Sequence, residues 1–77
     1  MAHKIEFRVG SQTYVAAVEP RSDGYTVFLE DDRFPYFVTN AGVVWRDSRV
    51  FRGGSARLLC RTAVELAKEF LEERTGE

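Results

Sequence analysis

The hydrophobic pattern of this chain changes its period once, close to two adjacent glycines, and this change limits the folds that the chain can adopt. Before residue 47 apolar residues tend to recur at every second position, as in Ile5, Phe7 and Val9, which is the spacing of a half-buried strand. After residue 55 they recur with the spacing of an α-helix. The sequence therefore predicts strands first and one helix last.

Turn residues divide the first part of the chain into short strands. Gly10-Ser11 suits a two-residue turn with glycine at its first central position. Asp-Gly at 23–24, Asp-Asp-Arg at 31–33 and Asn-Ala-Gly at 40–42 indicate further turns. The predicted strands are Lys4–Val9, Thr13–Glu19, Tyr25–Glu30, Tyr36–Thr39 and Val43–Arg46, with a further extended piece at 50–51 left open.

The predicted helix covers about 55–74 and is amphipathic. Ser55 is suited to cap its first turn, and Leu58 is the one apolar residue that falls on its polar side. The apolar arc consists of Leu59, Cys60, Ala63, Val64, Leu66, Ala67, Phe70 and Leu71. We therefore predict an α+β fold, an antiparallel β-meander of four or five strands with a single C-terminal helix packed on one face.

Seventy-seven residues are expected to form one small domain, with the strand half at about 4–46, a connecting loop at 47–54 and the helix after it. A chain of this size buries only about 60% of its extended surface, and oligomerisation is a common way to gain stability. One helix covers the width of about two strands. Part of the sheet must therefore be covered by loops, stay polar or be buried against a second molecule.

Apolar side chains are predicted on the sheet face that the helix does not cover. The expected residues are Tyr14, Ala16, Val18, Phe28 and Phe37. A contiguous surface of this kind is too apolar for comfortable solvation. The first hypothesis is therefore a protein-interaction domain that forms a homodimer, with Tyr14, Phe28, Phe37 and Leu58 as interface candidates. In the alternative, loops 31–36 and 47–54 fold back and cover these side chains.

Charge is distributed unevenly, although the net charge is −1 and the isoelectric point is near 5.8. The segment from Arg46 to Arg61 carries five arginines and one aspartate, whereas the segment from Glu19 to Asp32 carries five acids and one arginine. The near-neutral total gives no general attraction to nucleic acid or membranes. Any attraction must be local, and the opposite poles of two copies could steer them together.

The start of the helix is the candidate anion-binding site. Backbone N–H groups of a first helical turn attract anions, glycines allow a close approach, and arginines supply charge-assisted hydrogen bonds. The candidates are Arg49, Arg52, Gly53, Gly54, Ser55, Arg57 and Arg61. In the alternative, the glycines only form a tight loop and the arginines pair with acids of the chain itself. Those acids are Asp31, Asp32 and Asp47, with Glu65 for Arg61.

Catalysis and cofactor binding have little support in the sequence. The only histidine is His3, and the only cysteine, Cys60, lies in the apolar arc of the helix. One histidine and one cysteine cannot build a zinc site, and the acids at 30–32 lack the spacing of a calcium loop. We predict a non-catalytic domain without a metal or another cofactor.

No membrane role is expected, because no apolar run approaches the roughly 18 residues of a spanning helix. The first residues do not resemble a signal peptide, and a lone cysteine forms no internal disulfide. These features favour a cytoplasmic domain. Beside the interaction domain, the alternative function is an anion or nucleic-acid binding module that uses the basic start of the helix, although the signature of RNA-binding sheets is not present.

Overall fold

A computed structural model describes residues 2–30, 32, 34–52 and 54–75, with the side chains of these residues up to 70. The strands are β1 (His3–Val9), β2 (Gln12–Arg21), β3 (Gly24–Leu29), β4 (Tyr36–Thr39), β5 (Val44–Arg46) and β6 (Arg49–Val50), and the helix α1 is Gly54–Thr75. All six strands form one antiparallel sheet whose spatial order is the sequence order. The predicted α+β meander with one C-terminal helix is confirmed, with one strand more than predicted.

The additional strand lies in the segment 47–54 that was predicted as a connecting loop. In β6, Arg49 pairs with Arg46 and Val50 pairs with Trp45. Asp47 and Ser48 join the two strands with φ angles of 53° and 63°, the pair of positive values that a type I′ hairpin turn requires. Asn-Gly and Asp-Gly are the usual residues of such a turn, so Asp-Ser is a weak signal for it.

The first hairpin has the predicted turn, and this turn sets which side chains share a face. Gly10 has a φ of 63° and Ser11 does not have a positive φ, as in a type II′ turn. Val9 therefore pairs with Gln12 and Phe7 pairs with Tyr14. Because directly paired residues lie on the same face, Tyr14, Ala16 and Val18 face the helix together with Phe7. Their predicted position on the uncovered face is wrong.

The second turn differs from the prediction in its glycine. Gly24 does not have the positive φ expected of an Asp-Gly turn. It is required for space instead, because a β-carbon there would collide with the carbonyl oxygen of Val38 and lie 2.8 Å from Cζ of Phe37. Pro20 lies within β2, beyond the last β1 pair at Val18, where no strand on that side needs its missing N–H.

The helix α1 packs against β1 to β5 and covers one face of the sheet. The buried core consists of Phe7, Ala16, Val18, Val27, Tyr36, Val38 and Val44 from the sheet and Leu59, Cys60, Ala63, Val64 and Ala67 from the helix. Every helix member of this core belongs to the predicted apolar arc. Leu58 is 54% exposed, as its place on the polar side predicted.

Candidate functional site

The sheet face opposite α1, the outer face, carries large apolar side chains on adjacent strands. Phe37 pairs with Trp45, and Trp45 pairs with Val50, so these three side chains form one row. Side chains opposed in this way have β-carbons about 5 Å apart. Phe28 lies on β3 two residues after Thr26, which opposes Phe37. We name Phe28, Phe37, Trp45 and Val50 the outer-face patch.

The outer-face patch is partly open to water. Phe28 and Val50 are each 40% exposed, Trp45 is 36% exposed and Phe37 is half-buried. Segment 47–50 cannot fold over these side chains, because it forms a tight turn and then continues the sheet. Pro35 of the first loop and Asp47 and Ser48 of the second line a shallow cleft with Phe37 and Trp45. Described residues of both loops therefore border the outer face, while Phe28, Trp45 and Val50 stay partly exposed.

Charged side chains of both signs lie on the outer face, on its β1 and β2 side. They are Lys4, Glu6 and Arg8 on β1, Glu19 and Arg21 on β2, and Glu30 after β3. Glu19 and Arg21 form an ion pair with Oε1 and Nη2 3.0 Å apart. β2 also places Val15 and Ala17 on the outer face, and Ala17 pairs with Phe28. The outer face therefore has an apolar half and a half in which balanced charges surround these two smaller apolar side chains.

A second surface lies along the solvent side of α1. It is a shallow groove of about 460 Å³ that we name the arginine groove, and it is lined by Arg52, Gly54, Arg57, Leu58, Arg61, Thr62, Glu65 and Leu66. Most of these residues are spaced three or four apart, so they form one stripe along the helix. The groove brings together three of the arginines that the sequence singled out.

The arginines of this groove make no ion pair with any described residue, and neither does Arg49. Glu65, the expected partner of Arg61, lies 3.6 Å from Nζ of Lys68 instead. The guanidinium group of Arg61 lies above the β4–β5 turn, where a β-carbon at Gly42 would be 3.5 Å from its Nη2. The predicted alternative, in which the chain's own acids neutralise these arginines, is not seen among the described residues; Asp31 lies outside them.

The helix start differs from the prediction at the capping residue. The helix begins at Gly54, which has a φ of 46°, so Ser55 lies inside the first turn. The hydroxyl of Ser55 makes no hydrogen bond with a described residue, and Ser55 lines another cleft, of about 210 Å³, with Tyr14 and Asp32. Arg49 lies on β6 outside the arginine groove, and Gly53 lies outside the described residues. The predicted anion site is therefore divided between different surfaces.

A polar cluster that the sequence analysis missed joins the basic and acidic segments at one point. Arg46 donates to Asp32 from Nη2 to Oδ1 at 2.8 Å and to the Tyr36 hydroxyl from Nη1 at 2.7 Å. The Tyr36 hydroxyl donates to Oδ2 of Asp32 at 2.8 Å. Tyr36 and Arg46 lie on the helix-facing side of the sheet, near its end, and Tyr36 is only 2% exposed. One sequence feature could have indicated this cluster: Arg46 is two residues after Val44 and therefore shares its inward-facing side of β5.

These contacts change the protonation of the cluster. The hydrogen bond from Tyr36 has the largest effect on Asp32 and lowers its pKa; burial opposes this effect, and the charge of Arg46 lowers the pKa further. Burial, and then the hydrogen bond to Asp32, raise the pKa of Tyr36 to about 12. Asp32 is therefore an anion and Tyr36 a neutral donor at neutral pH. The cluster is internally satisfied, and its groups are occupied with one another.

The thiol of Cys60 is fully buried in the core between α1 and the sheet. Burial raises its pKa to about 12, so at neutral pH it is a thiol and not a thiolate. No group of His, Cys, Asp and Glu among the described residues could hold a metal ion. Over the same residues, no helix has the length and apolar character needed to cross a membrane.

Comparison of the chain with protein-family models, with curated proteins and with solved structures gives no match. Function has therefore to be inferred from the two surfaces described above.

Proposed function

We propose that this chain is a non-catalytic protein-interaction domain that forms a two-fold homodimer through the outer-face patch. The observation that carries this proposal is that α1 covers one face of the sheet only, while a row of aromatic and aliphatic side chains lies partly exposed on the other. Apolar surface that is removed from water in the interface stabilises the dimer by about 25 cal/mol per Å². A small domain with little core gains most from such burial.

The charges of the outer face favour a second copy as the partner. Acidic and basic side chains are balanced on the β1 and β2 half, so this face offers no net attraction to a polyanion. In a two-fold interface the same surface contacts itself, and a face with both signs can satisfy its own charges. The apolar half then packs against the apolar half of the partner copy.

Trp45 allows a direct test, because it is the only tryptophan of the chain and lies in the patch. We expect the sedimentation coefficient to rise with concentration toward that of a dimer, and the emission of Trp45 to shift to shorter wavelength over the same range. Phe28→Lys and Val50→Lys should each weaken the dimer by about tenfold or more, because each buries a charge in the interface.

Leu58→Lys is the matched control for these variants. It also replaces an exposed apolar residue by lysine, but on the helix side of the molecule, so dimerisation should be unchanged. Circular dichroism of all three variants checks that the fold is kept. A wild-type chain that stays monomeric at several hundred micromolar, or a dimer that Leu58→Lys alone disrupts, would exclude the outer-face dimer.

A second candidate function is anion binding, and the unpaired guanidinium groups of the arginine groove favour it. Arg52, Arg57 and Arg61 line one surface without an ion pair to a described residue. Like charges one helical turn apart repel, and a bound anion relieves this repulsion. Titration with inorganic phosphate at low salt should shift the backbone amide signals of 54–61, and the effect should weaken as salt is added.

A further inference from the structure

We propose that the arginine groove binds an acidic segment of a partner protein in extended conformation, with one apolar side chain between two carboxylates. The proposal rests on the second candidate function, anion binding, and names the class of ligand. It is carried by the exposed Leu58, which lies in the same groove as the unpaired arginines.

The arginines and the leucine lie on neighbouring flanks of the groove. Around the helix axis Arg57 and Arg61 are roughly 40° apart, and Leu58 is roughly 100° from Arg57 and roughly 60° from Arg61. One flank is therefore cationic and the other apolar, with Thr62 on the side of Leu58. A simple inorganic anion would use the first flank and leave Leu58 in water.

An extended peptide matches both flanks. Its side chains alternate between two sides, and side chains on the same side are about 6.6 Å apart. Arg57 and Arg61 are about 6 Å apart along the helix axis, so two acidic residues with one residue between them can each meet a guanidinium group. The residue between them then points to the flank of Leu58, where an apolar side chain gains contact.

A polynucleotide fits the groove less well. A phosphate backbone is bound through several cations, but this groove also contains two leucines, Leu58 and Leu66, with which a phosphate chain makes no apolar contact. The net charge of −1 adds no long-range attraction. An acidic and partly apolar protein segment can contact both the arginines and Leu58. Nucleic acid is the competing ligand that the experiment distinguishes from it.

The test uses the 77-residue chain labelled with ¹⁵N and two blocked peptides, Gly-Gly-Glu-Leu-Glu-Gly-Gly and Gly-Gly-Glu-Ser-Glu-Gly-Gly. We expect the leucine peptide to shift the amide signals of 54–62 and to bind about fivefold more tightly than the serine peptide, a typical gain for one partly buried apolar contact. Leu58→Ser should remove this difference between the peptides. Both affinities should fall when salt is raised from about 20 mM to about 150 mM.

Arg49 supplies a matched control for the charges. Arg57→Ala and Arg61→Ala should each weaken both peptides by about threefold or more, a usual effect of losing one exposed ion pair. Arg49→Ala removes the same charge from β6, outside the groove, and should leave the affinities within experimental error. Equal losses for all three variants would show general attraction by net charge and would overturn the proposal.

Two further ligands separate failure of this proposal from failure of anion binding. If oligouridylate binds at 54–62 more tightly than either peptide, or if the two peptides bind equally, the groove binds anions but the proposed ligand class is wrong. If phosphate, oligouridylate and both peptides leave these amide signals unmoved at low salt, anion binding itself is excluded. The proposal stands only if the leucine peptide binds best and its advantage depends on Leu58.

Discussion

Among the described residues, Arg46 makes the densest set of polar side-chain contacts. Besides its bonds to Asp32 and Tyr36, its Cζ lies 4.7 Å from the ring centroid of Tyr36 and 5.6 Å from that of Phe34. The ion pair with Asp32 joins residues 14 apart in the sequence. The uneven distribution of charge along the sequence pointed to the basic and acidic segments that meet here. It did not identify the pair of Arg46 and Asp32, because the direction of a carboxylate in a turn is set by tertiary packing.

Tyr36→Phe should destabilise the fold by about 1.5 kcal/mol, because it removes a hydroxyl that bonds to two charged groups in a mostly buried position. Denaturation with urea measures the change. Tyr14→Phe is the control, since its hydroxyl bonds only to the exposed Gln12, and it should cost less than about 0.5 kcal/mol. An equal loss in the free energy of unfolding for the two variants would contradict a stabilising role of the cluster of Asp32, Tyr36 and Arg46.

Cys60 should make stability sensitive to alkaline pH. Its pKa in the folded chain is raised from 9.0 to about 12, so the unfolded chain releases this proton first. The contribution of the thiol is therefore complete below about pH 9 and is lost as the pH rises toward 12.

Cys60→Ala should reduce the fall in the free energy of unfolding between about pH 8 and pH 10.5, measured by urea titration at both values. Other groups titrate equally in the wild-type and variant chains, so the comparison isolates Cys60. A fall of the same size in both chains would contradict the burial of the thiol.

For the strands and the helix, the spacing of apolar residues along the sequence determined most of what could be predicted. The buried residues of α1 all belong to the predicted arc, because the arc depends on local spacing. Phe70 of that arc is nevertheless 46% exposed, and the side chain of Leu71 lies outside the described ones. The strand at Tyr36–Thr39 has the predicted bounds, which followed from Pro35 and the turn at 40–42. The sheet face of Tyr14 could also have been predicted, since the two-residue turn at Gly10-Ser11 implies that Tyr14 pairs with Phe7. β6 was not within reach, because two residues carry no periodicity and their turn lacks glycine.

The Asp47-Ser48 turn between β5 and β6 gives a prediction for the stability of the last hairpin. Ser48→Gly should stabilise the fold by about 0.5–1 kcal/mol, because serine at a φ of 63° carries a steric cost that glycine does not. Thermal and urea denaturation measure the change. Ser11→Gly is the matched control in the first hairpin, where φ is not positive, and it should give no stabilisation. A loss of stability in both variants would show that chain entropy outweighs the strain.

For the candidate site, spacing alone brought Arg57, Leu58 and Arg61 together, because all three lie on one helix stripe. Arg52 joined them through the path of the chain before α1, which no local pattern describes. Trp45 and Val50 were missed as members of the outer face. The prediction treated the strand ends as separate, whereas β4, β5 and β6 align their outward side chains in one row.

At the scale of the whole molecule, the chain is a slab with extents of 37 × 31 × 19 Å. The outer-face patch and the arginine groove lie on its two broad sides, separated by the sheet and the helix. The two proposed functions therefore do not compete for surface. Phe28→Lys should leave peptide affinity unchanged, and Arg57→Ala should leave dimerisation unchanged.

The single helix has a consequence for how a dimer would meet its partners. Two copies joined through their uncovered sheet faces would carry their helices on the outside, with the two grooves pointing in opposite directions. A short acidic segment could then occupy one groove but never reach both. Such a dimer would act as a bridge that holds two separate partner molecules together.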